Sequence, residues 1–192
     1  MRSVLDTRAE RLRKQADFIL KKSSLLDFLA GYGEVNVTGS YALNLMTTGD
    51  IDVHVVNPTI RKATVKRVLD ALIEQNFFDG YHFHDWVSHF ESARNVFGID
   101  PLKGYYIALR TVFRGTRWKI DIWFLKSHDA KGARLMKSLQ RNMTADVRHI
   151  ILKLKRMRDE KAREFNISSA VIYKAVINSE IRTFPALLKF AQ

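Results

Sequence analysis

The sequence has no cysteine, which removes disulfide frameworks, thiolate zinc sites and cysteine nucleophiles together and points to a cytosolic home. Proline is scarce, with 3 in 192 residues, and no repeat or low-complexity linker interrupts the chain, so wholesale disorder is not expected. No apolar run approaches the roughly 20 residues that a membrane-spanning helix needs. The opening segment, MRSVLDTRAERLRKQADFIL, is too charged for a secretory signal, so no membrane partner is expected. Acidic residues are the minority charge, 20 against 32 Lys and Arg, for a net charge of +12. A surface this basic concentrates polyanions such as nucleic acid, nucleotide or acidic lipid, without specifying an activity.

What is present suffices for a real core: 46% of the residues are hydrophobic. TRAE from Thr7 has the form of a capping box, with Thr7 as N-cap and Glu10 three positions on, and SLLD from Ser24 echoes it, so residues 5–31 read as two helices or one bent helix. Gly31 and Gly33 break that pattern, and EVNVTG alternates as a strand into Gly39. YALNLM is long enough for a helical turn or two. In DIDVHV the alternation puts Asp50, Asp52 and His54 on one face and Ile51, Val53 and Val55 on the other. Pro58 and Thr59 are expected to open a helix over about 60–76, and 79–92 reads as extended and aromatic. GYYIALRTVFRG and TRWKIDIWFL form a predicted hairpin turning at Arg114 to Thr116, whose second strand sets Lys119, Asp121 and Trp123 against Ile120, Ile122 and Phe124. From Ser127 onward the chain reads as helical, with N-caps at Ser127, Thr144 and Asn166 or Ser168, and Pro185 starting a last helix. This divides the chain into a core over 1–126 and a helical C-terminal segment over 127–192.

Two ionised carboxylates two residues apart on a strand, with roughly 6.6 Å of rise between them, repel by about 2 kcal/mol or more at an effective dielectric near 20. Something must compensate. A solitary Asp-x-Asp is usually a hydrated or ion-paired edge. Here it follows Gly39-Ser40 at the end of a strand and precedes Asp121 in a later apolar strand. Gly39 lets a phosphate approach the backbone, and Ser40 offers a hydroxyl and main-chain N–H groups. Hard carboxylates at Asp50 and Asp52 suit magnesium, and Asp121 suits a second metal about 3.5–4 Å from the first. Such a set serves phosphoryl or nucleotidyl transfer.

The order apolar strand, Gly-Ser, spacer, Asp-x-Asp and later Asp resembles the DNA polymerase beta superfamily of nucleotidyltransferases, over about residues 33–126. The resemblance implies an α+β nucleotidyltransferase fold, a small mixed sheet backed by helices. It also implies that Gly39 and Ser40 contact the phosphates of a nucleoside triphosphate, and that Asp50, Asp52 and Asp121 bind two Mg2+ ions and form the catalytic set. The family chemistry moves a nucleoside monophosphate to an acceptor hydroxyl and releases pyrophosphate. Gly49 departs from the pattern, standing where many members have serine.

Several residues stay outside this assignment. His54 shares the face of the aspartates, and a histidine there is more often a bystander than a ligand. His82, His84 and His89 read as ordinary strand histidines, not zinc ligands. Arg110 and Lys119 serve either the phosphates or the local carboxylates. The bases from Lys131 to Arg163, LKLKRMRDEKAR among them, read as a solvated face or as a track for a phosphate backbone. The acceptor is therefore open among an RNA such as tRNA, a small molecule and a protein. Two other readings also stay open: a silent nucleotide- or nucleic-acid-binding protein, and a toxin–antitoxin component acting by interaction.

Overall fold

The computed structural model describes residues 3–91, 102–161 and 167–192. Among them are five strands: β1 Glu34–Thr38, β2 Gly49–Val56, β3 Gly80–Asp85, β4 Gly104–Phe113 and β5 Thr116–Leu125. The helices are α1 Val4–Lys22, α2 Leu25–Ala30, α3 Gly39–Ala42, α4 Lys62–Glu74, α5 Ala130–Asn142, α6 Ala145–Glu160, α7 Ser169–Ser179 and α8 Phe184–Phe190. The chain forms two compact units: one of Gln15–Gly39 and Gly49–Asp129, the other of Met1–Lys14, Ser40–Thr48 and Ala130–Gln192.

The first unit is built on one mixed sheet in the order β1-β2-β5-β4-β3, with β2 and β5 parallel and every other pair antiparallel. Its register rules the sheet into transverse rows. On the apolar face Ile51, Ile120 and Leu109 lie abreast, then Val53, Ile122 and Ile107, then Val55, Phe124 and Tyr105, all buried. Buried residues of α2 and α4, such as Leu29, Val65 and Leu72, add to this unit's core, with α2 against β1 and α4 against β3 and β4. Period-2 alternation produces this division, because a pleated strand turns successive side chains to opposite faces. The β4–β5 hairpin turns through Arg114 (φ 48°) and Gly115 (φ 72°), both in the left-handed region that a two-residue loop requires.

The second unit is helical. Its core gathers Leu139 of α5, Ile151, Leu152 and Leu154 of α6, Ile172 and Val176 of α7, and Leu187 of α8 around Leu43 and Leu45. Lys155 is buried among them at 2% exposure, donating to the carbonyl of Leu45 (2.7 Å) and to the hydroxyl of Tyr173 (3.4 Å). Arg148 pairs with Asp6 and donates to the carbonyl of Asn44, while Thr47 donates to Asp159 at 2.6 Å. Helix α6 thereby pins the segment Ser40–Thr48 at three points. In the basic run, Lys155, Arg148 and Arg158 turn inward to such partners, and Lys131, Arg134, Lys137, Arg141 and Lys153 remain exposed; Arg163 lies outside the described residues.

Several local expectations shift. The N-terminal capping box sits one turn earlier than Thr7: Ser3 Oγ accepts from the Asp6 N–H, and Asp6 Oδ2 accepts from the Ser3 N–H. Ser24 precedes α2 in the left-handed region and makes no side-chain cap. Pro58 and Thr59 form a turn on the Asn57 side chain, and α4 starts only at Lys62. Helix α5 begins at Ala130, beyond Ser127. Thr144 and Ser168 cap α6 and α7 through their side chains, and Pro185 lies in the first turn of α8. Asn166, the other cap candidate, lies outside the described residues, as does Ser92 at the end of the aromatic stretch.

Candidate active site

The polar face of the sheet carries the candidate chemistry. Asp52 of β2 lies directly beside Asp121 of β5, with Thr38 flanking Asp52 on β1 and Ala108 flanking Asp121 on β4. One rung away Asp50 lies beside Lys119, and Lys119 beside Arg110. Asp50, Asp52 and Asp121 each offer a carboxylate oxygen, and these oxygens all lie within 4.8 Å of one another. Three hard anionic donors at this spacing on a rigid sheet fit a divalent cation better than a soft metal.

The charges are countered locally. Lys119 Nζ lies 2.7 Å from Asp121 Oδ2 and 3.3 Å from Asp50 Oδ1, and Arg110 Nη1 lies 4.0 Å from Asp121 Oδ1. Burial works to lower the Lys119 pKa, but the carboxylates of Asp50, Asp121 and Asp52 outweigh it and hold the ammonium above its ordinary range. The Tyr106 hydroxyl donates to Asp121 Oδ1 at 2.8 Å. Burial, and next the charge of Asp121, raise the Tyr106 pKa, so it remains a donor. His54 sits on the same face with its pKa lowered by burial against the opposing pull of Asp129, which favours the neutral ring.

Gly39 and Gly49 are both required by close approaches. Gly39 has φ +67°, and a Cβ there would meet Asp52 Oδ2 at 2.0 Å. The missing side chain is the space that the Asp52 carboxylate occupies. At Gly49 a Cβ would lie 2.5 Å from the Arg117 carbonyl oxygen and 3.0 Å from the Trp118 ring. The departure from serine at this position follows from that packing. Ser40 follows Gly39 in the first turn of α3 and is buried.

The structure therefore brings together the three predicted carboxylates, with Gly39 against Asp52. Lys119 and Arg110, left open between two roles by the sequence, stand on the carboxylates. Tyr106 was missed, although the alternation of GYYIALR, set against TRWKIDIWFL across a tight turn, carries the signal that Ala108 faces Asp121 and Tyr106 lies one rung along. His82 and His84 are exposed on the same face of β3, and His89 follows that strand.

No protein-family model matches the chain, and no curated protein matches it. Among solved structures, it is similar to a chain of the non-canonical poly(A) polymerase complex GLD-2–GLD-3, with 11% identity and a TM-score of 0.53. The match covers 92% of this chain and 58% of that one. The likeness is one of fold: an α+β nucleotidyltransferase fold with a five-stranded mixed sheet.

Proposed function

We propose that the protein is a metal-dependent nucleotidyltransferase that moves a nucleoside monophosphate from a nucleoside triphosphate to an acceptor hydroxyl. The observation that carries this reading is the convergence of Asp50, Asp52 and Asp121 from two strands to within 4.8 Å on one face. The fold is compatible with it. Asp50, Asp52 and Asp121 would hold Mg2+. Bound magnesium would supply charge neutralisation for the phosphates and a more acidic acceptor hydroxyl.

In this reading the acceptor oxygen attacks the α-phosphorus as the bond from that phosphorus to its β-bridging oxygen breaks, and pyrophosphate leaves. Asp121, on the β4 side of Asp52, orients the acceptor hydroxyl and takes up its proton directly or through water. Tyr106 fixes Asp121 by donating to Oδ1, leaving Oδ2 to Lys119 or to the site. With the carboxylates held by cations, Lys119 and Arg110 beside them would be positive groups available to the phosphate oxygens. Gly39 and Ser40 are the residues assigned to the outgoing phosphates.

The test is Asp50→Asn combined with Asp52→Asn, assayed with labelled nucleoside triphosphates, Mg2+ and either total RNA or candidate small molecules. Loss of transfer in a variant that still folds is expected. Full turnover in the double variant would refute the assignment.

A further inference from the structure

One rung from the carboxylates, on the same face, the register places a second row: His54 of β2, Trp123 of β5, Tyr106 of β4 and His84 of β3 lie abreast across four adjacent strands. The rings touch. Trp123 and Tyr106 have centroids 4.9 Å apart, Tyr106 and His84 5.7 Å, and His84 stacks on Trp86 at 4.9 Å with 5° between planes. On the reverse face the matching rows over β2, β5 and β4 are apolar and buried, Tyr105 among them, as a packing role requires. The ring row differs: His84 is exposed, and His54, Trp123 and Tyr106 are half-buried. Two of its rings are histidines, which a purely apolar packing row would not select. Nothing in the assigned chemistry uses this row except the Tyr106 hydroxyl on Asp121.

The geometry points to a nucleobase-stacking platform that receives the terminal bases of a single-stranded nucleic acid, the acceptor in the transferase reading above, on which the word acceptor alone rests. Aromatic faces on a sheet stack unpaired bases irrespective of sequence, because every base offers a π-face. The three rungs match the parts of a nucleotide in order. Rings suit the base, Asp52 and Asp121 suit the reacting hydroxyl, and Arg110 and Lys119 suit phosphate. Two residues along a strand, roughly 6.6 Å, separate each rung from the next on the same face.

Strand order distinguishes the acceptor from the incoming nucleotide. Gly39, assigned to the triphosphate, abuts Asp52 on the β1–β2 side. Trp123, Tyr106 and His84 run the other way, over β5, β4 and β3, and their link to the carboxylates is the Tyr106 bond to Asp121. A base on these rings lies on the Asp121 side, away from Gly39. The +12 net charge attracts the strand, and the rings select for unpaired bases.

The experiment measures binding, not turnover. Fluorescence anisotropy with a labelled single-stranded oligonucleotide in EDTA, without triphosphate, is compared with its duplex and with an abasic strand of equal length. A fluorescent triphosphate analogue with Mn2+ forms a separate arm. Trp123→Leu and His84→Ala are each expected to weaken single-strand binding about tenfold, within the range for loss of one stacking ring. Trp123→Phe should restore most of it, and analogue binding should be unchanged. The duplex and abasic strands should bind the unaltered protein more weakly. Equal affinity for abasic and normal strands, or unchanged single-strand binding in both variants, would overturn the platform. Loss of analogue binding instead would give the rings to the incoming nucleotide and overturn the acceptor assignment. Exposed His84 is a conservative site should Trp123→Leu fail to fold. Loss of turnover in the aspartate double variant is independent of every arm, so the two readings fail separately.

Discussion

Lys119→Met tests whether the carboxylates form a cation site whose affinity this chain restrains. Lys119 Nζ lies 2.7 Å from Asp121 Oδ2 and 3.3 Å from Asp50 Oδ1, against two of the carboxylates a metal would use. A metal must displace this ammonium or bind beside it. At an effective dielectric near 20, two unit charges about 4 Å apart interact by about 4 kcal/mol. The Lys119 side chain is 37% exposed, and solvent screening of such pairs brings the usable figure down toward about 1–2 kcal/mol. Removing the charge should therefore tighten divalent binding by about 5- to 30-fold. Calorimetric titration with Mn2+, checked by the paramagnetic resonance signal of free Mn2+, measures it without any substrate. The same variant should melt lower than the unaltered protein in EDTA, because three carboxylates have lost their nearest cation, and should recover with Mn2+. Lys119→Met binding Mn2+ no more tightly than the parent would refute the competition. Unaltered Mn2+ affinity in Asp52→Asn would refute the metal site itself.

Two further outcomes follow from the geometry. Gly39→Ala forces a Cβ to within 2.0 Å of Asp52 Oδ2 at a φ of +67°, so it should lower the urea unfolding free energy by about 1–2 kcal/mol or more and weaken Mn2+ binding by moving Asp52. A variant with parental stability and Mn2+ affinity would mean the carboxylate has room to move. Asp85 gives a pH-dependent outcome away from the site. Burial works to raise its pKa, but the Ser88 N–H at 3.0 Å and Lys62 at 3.0 Å prevail and hold it at about 2, below the ordinary 3.8. A depressed carboxylate contributes stability above its unfolded pKa and loses it as pH falls through the folded one. Asp85→Asn should thus cost about 1 kcal/mol or less at neutral pH, where Lys62 is partly exposed, with the difference vanishing between about pH 4 and pH 2 in chemical unfolding curves. A difference constant across that window would remove the ion pair from the account.

The faces of β2 and β5 were legible because DIDVHV and KIDIWF alternate without interruption, and alternation alone decides which side of a sheet a side chain takes. Their neighbours were not legible. Asp52 meets Asp121 through a parallel pairing between distant segments, and no local pattern encodes that register. The N-terminal cap was misplaced because Ser3-x-x-Asp6 and Thr7-x-x-Glu10 have the same form, and only the onset of the apolar periodicity at Val4 separates them. Lys155 was read with the other bases of the run as a solvated face or a phosphate track, yet on a helix Lys153 and Lys155 point about 200° apart, so one faces solvent and the other donates to the Leu45 carbonyl.

The sequence left one question with an incomplete answer: what makes adjacent carboxylates tolerable in the sheet. Divalent cations were the expected compensation, but the chain supplies its own, with Lys119 on Asp50 and Asp121, Arg110 beside Asp121, and the Tyr106 hydroxyl donating to it. This changes what the aspartate substitutions should do to stability. Asp50→Asn with Asp52→Asn relieves like-charge repulsion but also strips Lys119 of Asp50, so the two effects oppose each other and the fold's stability should stay near the parent's, where repulsion alone would raise it. Asp121→Asn removes the shorter of the Lys119 contacts at the most buried of the three positions, leaves the Asp50–Asp52 repulsion in place, and should be the more destabilising. Melting temperatures in EDTA order the variants directly. A double variant clearly more stable than the parent would show that the lysine does not neutralise the cluster, and the compensation would then have to come from bound cations after all.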